Sequence, residues 1–119
     1  MKSIKIKRVY EEAADKDGYR MLIDRLWPRG LKKEIAAINE WNKDIAPSPE
    51  LRKWFGHKPE NFKRFAQLYR SELKNKPGEL ERINSIAEKQ NLTLLYAAKD
   101  EKINNAIVLL DVLKHRNEQ

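Results

Sequence analysis

The chain of 119 residues contains no cysteine. This excludes a disulfide framework, a thiolate nucleophile and a sulfur-ligated metal, and it suits a reducing compartment. Its four glycines, Gly18, Gly30, Gly56 and Gly78, are too dispersed for a dinucleotide fingerprint or a Walker loop. No serine sits in a nucleophile elbow. The two histidines, His57 and His115, are isolated and have no ligand partner at metal-binding spacing. Binding without metal or cofactor is the expectation. No apolar run approaches the length of a bilayer crossing, and the amino terminus lacks an apolar signal segment. We expect a cytoplasmic protein with no membrane partner.

With 40% hydrophobic and 36% charged residues, the chain reads as one domain, 1–119, with a single core and a heavily charged exterior. The formal charge of +7 favours anionic partners, polymeric or small. The first ten residues carry Lys2, Lys5, Lys7 and Arg8 and no acid. A second basic stretch holds Arg25, Arg29, Lys32 and Lys33. Elsewhere the bases mix with acids, as in Glu79, Glu81, Arg82, Glu88 and Lys89, the pattern of a solvated surface.

Ile4 and Ile6 alternate with Lys5 and Lys7, which predicts a strand with one face inward and lysines that discourage edge pairing. Asp17-Gly18 signals a turn, and Tyr19 to Leu26 reads as a second strand whose Met21-Leu22-Ile23 run is buried on both faces. Lys32 to Ala37 has no decisive pattern, and Ile38 to Trp41 reads as a short third strand. Ser48 as N-cap, Pro49 at the first helical position and Gly56 as stop frame a short helix, Pro49 to Phe55. Pro59 restarts a helix with Phe62, Phe65, Ala66, Tyr69 and Leu73 on one side, and a further helix runs from Glu79 to Gln90. Leu92 to Ala98 is the second doubly buried strand, and Ile103, Ala106, Ile107, Leu110 and Leu113 carry the last helix. This order predicts an α/β fold, a small, mostly parallel sheet of about four strands flanked by helices in three layers.

Charge appears where both buried runs end, and ligands of open α/β sheets bind outside the carboxyl ends of the strands. After the first run come Asp24, Arg25, Trp27, Pro28, Arg29 and Gly30, a stiff turn that presents guanidiniums. After the second come Tyr96, Lys99 and Asp100, then a helix start near Asn104 and Asn105 that offers backbone N–H groups to an anion. If the strands are neighbours, Arg25 and Arg29 become forked donors, Lys99 a point charge, and Asp24 or Asp100 an orienting or basic carboxylate. Arg8, Trp27 and Tyr96 complete the candidate binding set, and Asp24, Asp100 and Lys99 are the catalytic candidates. The bland alternatives stand beside this: Asp24 and Arg25 as a structural ion pair, Asp100 as a plain N-cap, Lys99 as solvated.

Arg8-Val9-Tyr10, Asp17-Gly18-Tyr19-Arg20, the segment from Asp24 to Gly30, Ala46-Pro47-Ser48, the segment from Leu51 to His57, and Leu95-Tyr96-Ala97-Ala98-Lys99-Asp100 together resemble the YeaO-like family of small bacterial proteins. That family is a short branch of the larger domain-of-unknown-function family 488. The resemblance covers nearly the whole chain and implies a compact α/β fold and a cytoplasmic location; it assigns no activity. Longer relatives in the larger family carry cysteines and a Cys-His pair where this chain has Tyr96 and the Asn104-Asn105 region. Thiol or metal chemistry is therefore not carried over. The aspartate, the arginines and the proline turn are shared.

Three functions remain open. The first is binding, or turnover, of a phosphate- or carboxylate-bearing small molecule. The second is nucleic-acid binding, with the basic first strand, Lys32 and Lys33 on phosphates and Trp27, Trp41 or Trp54 stacking on bases. The third is an interaction protein without chemistry, marked by an exposed apolar patch.

Overall fold

The two uninterrupted apolar runs become the centre of a sheet, because a strand covered on both sides has no face for a polar side chain. The computed structural model describes residues 3–117; Lys2, part of the basic amino-terminal stretch, lies outside the described residues. Among these, four strands occur: β1 (Ile4–Arg8), β2 (Tyr19–Leu22), β3 (Glu40–Trp41) and β4 (Leu92–Tyr96). The helices are α1 (Lys33–Ala36), α2 (Pro49–Phe55), α3 (Phe62–Lys74), α4 (Pro77–Lys89) and α5 (Asn105–Asn117). All strand pairs are parallel and the order is β1-β4-β2-β3. Tyr96 lies opposite Arg8 on one side, and Leu95 lies opposite Leu22 on the other. The candidate strand ends therefore point the same way from adjacent strands.

Successive side chains of a strand face opposite sides, and here they enter two different environments. Ile4, Met21, Leu92 and Leu94 face the main core, which α2 to α5 close with Leu51, Phe55, Phe65, Tyr69, Ile83 and Leu109. On the reverse face Val9, Leu22 and Leu95 pack against Trp27, Leu31, Ile38 and Trp41, beneath the turn after β2 and the short α1. This thin cover is the third layer.

The other half of that reverse face is ionic. Lys5 and Lys7, on the edge strand β1, reach Asp17 at 3.1 and 3.0 Å, and Arg20 reaches it at 2.5 Å. Asp17 is wholly buried. Burial alone pushes its carboxyl up, but the Ala14 N–H and the charges of Lys7, Lys5 and Arg20 outweigh that and hold it well below the usual carboxylate range. Arg20 also donates to the carbonyls of Ala37 and Ala36, which fastens α1 to the sheet. Gly18 at φ +65° lets the chain pass Asn91: a Cβ there would meet the Asn91 carbonyl oxygen at 2.2 Å.

The helix punctuation holds. Ser48 Oγ accepts from the Leu51 N–H, Pro49 opens α2, and Gly56 closes it in the left-handed region. Several boundaries move. The ladder of β2 stops at Leu22 rather than Leu26, although the Ile23 N–H still donates to Leu95, because Asp24 is drawn away by bonds of its own. β4 stops at Tyr96, and the patternless Lys32–Ala37 stretch forms α1. Pro59 begins a single 3-10 turn before α3, and α4 begins at Pro77 rather than Glu79.

Candidate functional site

Beyond the carboxyl ends of β2 and β4 lies a cleft of about 610 Å³. Its floor is built around Asp24. One carboxylate oxygen accepts from the Ala97 N–H at 2.9 Å, and the other accepts from Asn105 Nδ2 at 3.1 Å. Asn105 Nδ2 also donates to the Ile23 carbonyl, and Trp41 Nε1 donates to the carbonyl of Asp24. One aspartate thus ties together the ends of β2, β3, β4 and the start of α5. Burial pushes its carboxyl up, opposed by the two donated hydrogen bonds and by the charge of His57.

Arg25 lines the cleft but is spent on structure: Nε donates to the Pro47 carbonyl at 3.0 Å and Nη2 to the Ala46 carbonyl at 3.4 Å. These bonds hold the turn that feeds α2. Trp27 forms a wall, with Nε1 on the Leu31 carbonyl and its ring edge-on to Trp41 at 5.4 Å. Arg29, Lys99 and Asp100 are exposed lining residues. Asp100 Oδ1 accepts from the N–H groups of Lys102 and Ile103, closing a turn. It is therefore not the N-cap of the last helix. That role belongs to Asn104, whose Oδ1 accepts from the Ile107 N–H, because the helix begins only at Asn105.

Arg8 and Tyr96 stand outside the cleft lining. Tyr96 is buried in the main core. Arg8 supports the rim: Nε donates to the Ala98 carbonyl, and its guanidinium lies 4.8 Å above the ring of Tyr10, whose hydroxyl donates to the Arg29 carbonyl. Asp24, Arg25, Trp27, Arg29, Lys99 and Asp100 do share one lining.

The sequence reasoning missed the far wall. Arg52, on α2, lines the cleft, and its Nε is buried with no hydrogen-bond partner among the described residues. A buried guanidinium N–H without an acceptor is uncommon and calls for an explanation. His57 lines the same wall at φ +58°, in the left-handed region that a non-glycine residue rarely occupies. Behind them Phe55 and Phe65 stack at 4.2 Å. The only hint in the sequence was that Arg52 and His57 belong to one of the motifs that carried the resemblance.

Among the described residues no group of three His, Asp or Glu side chains is placed to hold a metal, and no helix is long and apolar enough to cross a membrane. The basic first strand faces inward at Lys5 and Lys7. Trp27 and Trp41 donate to carbonyls and pack on each other. Of the three tryptophans, only Trp54 is exposed enough to stack on a base.

Residues 3–119 match the family model described as the inactive DUF488-N3 subclade. The chain is 49% identical over 112 residues to the uncharacterized protein YeaO of Escherichia coli K12, covering 94% of this chain and 97% of that one. It is 36% identical over 113 residues to the uncharacterized protein Rv3073c of Mycobacterium tuberculosis H37Rv, covering 95% of each. No solved structure matches. A parallel four-stranded α/β chain matched from its third residue to its last, with these relatives over nearly their whole lengths, belongs to the inactive DUF488-N3 subclade.

Proposed function

We infer that this protein is a single cytoplasmic domain that binds a small anionic molecule, bearing phosphate or carboxylate, in the cleft at the strand ends. The observation that carries the reading is the convergence of three cationic side chains, Arg29, Arg52 and Lys99, on the lining of one cleft, none of them in an ion pair among the described residues. A bound anion would supply their counter-charge, and charge-assisted hydrogen bonds to guanidinium and ammonium groups are among the strong ones. The amino end of α5, a helix of thirteen residues, adds a favourable dipole on the same lining through Asn104 and Asn105.

Binding without turnover is the better-supported form. Asp24 accepts one hydrogen bond on each oxygen and serves to join the strand ends, while Asp100 uses only Oδ1 for its turn. The subclade description, inactive, agrees with binding without turnover. A nucleic-acid role has less support, since Lys5 and Lys7 are committed to Asp17 and two of the three tryptophans are packed away.

The test is thermal unfolding across a panel of phosphorylated and carboxylated metabolites. A ligand at roughly 100 times its Kd adds about 2.7 kcal/mol to the folded state. Arg29→Ala and Arg52→Gln should each reduce that gain without removing the fold. A panel that leaves the melting temperature unmoved would refute the reading.

A further inference from the structure

Resting on the anion-binding reading, we propose that the molecule this cleft takes is amphipathic, an anionic group joined to a flat, ring-sized apolar body, rather than a bare inorganic anion or a polar polyanion. Volume is the first argument. At about 610 Å³ the cleft has room for on the order of twenty water-sized groups, whereas an inorganic phosphate has five heavy atoms. An anion held by Arg52 alone leaves most of that space to be filled.

The second argument is what surrounds the space. Trp27 and Pro28 form one wall, and the buried Phe55–Phe65 stack, 4.2 Å between ring centroids, backs the opposite one. The exposed part of the lining carries apolar groups beside the charged ones. Among the described residues four large hydrophobic side chains are exposed, and two of them, Leu26 at 58% and Tyr10 at 40%, line this same cleft. Single exposed apolar side chains are ordinary, but Leu26 and Tyr10 together on one cleft lining mark the surface that an apolar ligand body would cover. Concave sites with mostly apolar walls and a few convergent polar groups are the usual form of small-molecule sites.

The third argument is the division of the polar groups. Asp24, Arg25 and Trp27 Nε1 are already paired within the protein, so they offer little to a ligand rich in hydroxyls. The open polar capacity is cationic, at Arg52, Arg29 and Lys99. One end of the ligand is therefore recognised by charge, and the rest by area and shape.

Isothermal titration of the full chain at fixed ionic strength tests this with two matched pairs, methyl against phenyl phosphate and acetate against benzoate, and with benzyl alcohol as the neutral body alone. In at least one pair the aromatic member should bind tenfold tighter or better than its partner, and benzyl alcohol should bind at least tenfold more weakly than that aromatic anion. Tenfold corresponds to about 1.4 kcal/mol, or roughly 55 Å² of apolar surface removed from water. Leu26→Ser, at an exposed position, should narrow the aromatic preference and leave the affinity of the small anion unchanged. Arg52→Gln should weaken both members of the pair alike. Equal affinity within both pairs, or binding of benzyl alcohol as tight as that of the aromatic anions, would overturn the amphipathic assignment while leaving a cleft that binds. Absence of binding by all four anions would instead remove the anion-binding reading on which it rests.

Discussion

Asp17→Asn is the substitution whose outcome follows most directly from the structure. The carboxylate is wholly buried and faces Lys5, Lys7 and Arg20, and the Ala14 N–H also donates to it, while the Thr93 hydroxyl holds the backbone carbonyl of the same residue. Removing the negative charge leaves three cations converging on a neutral amide. Breaking a buried pair by deleting one partner is worth about 3–5 kcal/mol. Arg20, almost fully buried, supplies most of that here, and Lys5, more than a third exposed, supplies least because solvent screens it. With an unfolding entropy of about 2.1 cal/mol/K per residue, the 119-residue chain should lose roughly 12–20 °C in melting temperature. The pH dependence gives a second readout. The folded carboxyl is held below its unfolded value near 3.9, so the native state binds fewer protons than the unfolded state in acid. Its contribution is full above that value and is lost as pH falls from about 4 toward the lower folded pKa. Urea unfolding at pH 7 and at a series of acid pH values should show this slope in the parent and its reduction in Asp17→Asn. A loss below about 1 kcal/mol at pH 7, the range of an exposed pair, with the acid slope unchanged, would refute the argument.

Asp24 has the opposite sign. Burial raises its folded pKa, so its contribution is greatest below the unfolded value and is lost as pH rises through the folded one; urea midpoints of Asp24→Asn should lack that component. Gly18→Ala combines a positive φ with a Cβ 2.2 Å from the Asn91 carbonyl oxygen, and denaturant unfolding should show a loss of at least the roughly 1–3 kcal/mol of a strained backbone. Tyr69→Phe deletes the 2.6 Å hydrogen bond from the buried hydroxyl to the Ile45 carbonyl and should destabilise by about 1–3 kcal/mol in the same assay. Asp111→Asn, which removes a half-exposed partner of Arg70, serves as the contrast and should change stability by no more than about 0.5 kcal/mol.

The position of the candidate site was legible before the fold was known, because two apolar runs each end in charge and a parallel sheet discharges its loops at one edge. Its membership was only half legible. Asp24, Trp27, Arg29 and Lys99 follow their strands directly in the chain and line the cleft. Tyr96 follows the same rule in sequence, yet the alternation of β4 turns it into the main core, since a shift of one residue changes the face. Arg52 and His57 come from a helix and a left-handed corner far along the chain, and nothing local marks them.

By itself the sequence determined the elements that burial dictates. The doubly apolar runs had to be inner strands, the Ser48-Pro49 and Gly56 punctuation had to bound a helix, and the absence of cysteine removed thiol chemistry. Only the tertiary structure decided that Lys5 and Lys7 serve a buried aspartate, that Arg25 is a clamp rather than a free donor, and that Arg52 joins Arg29 and Lys99 on one cleft lining. The physical reason is range: periodicity and capping act among residues a few positions apart. The pairing of charges depends on which strands become neighbours, and that choice is made by packing the whole core at once.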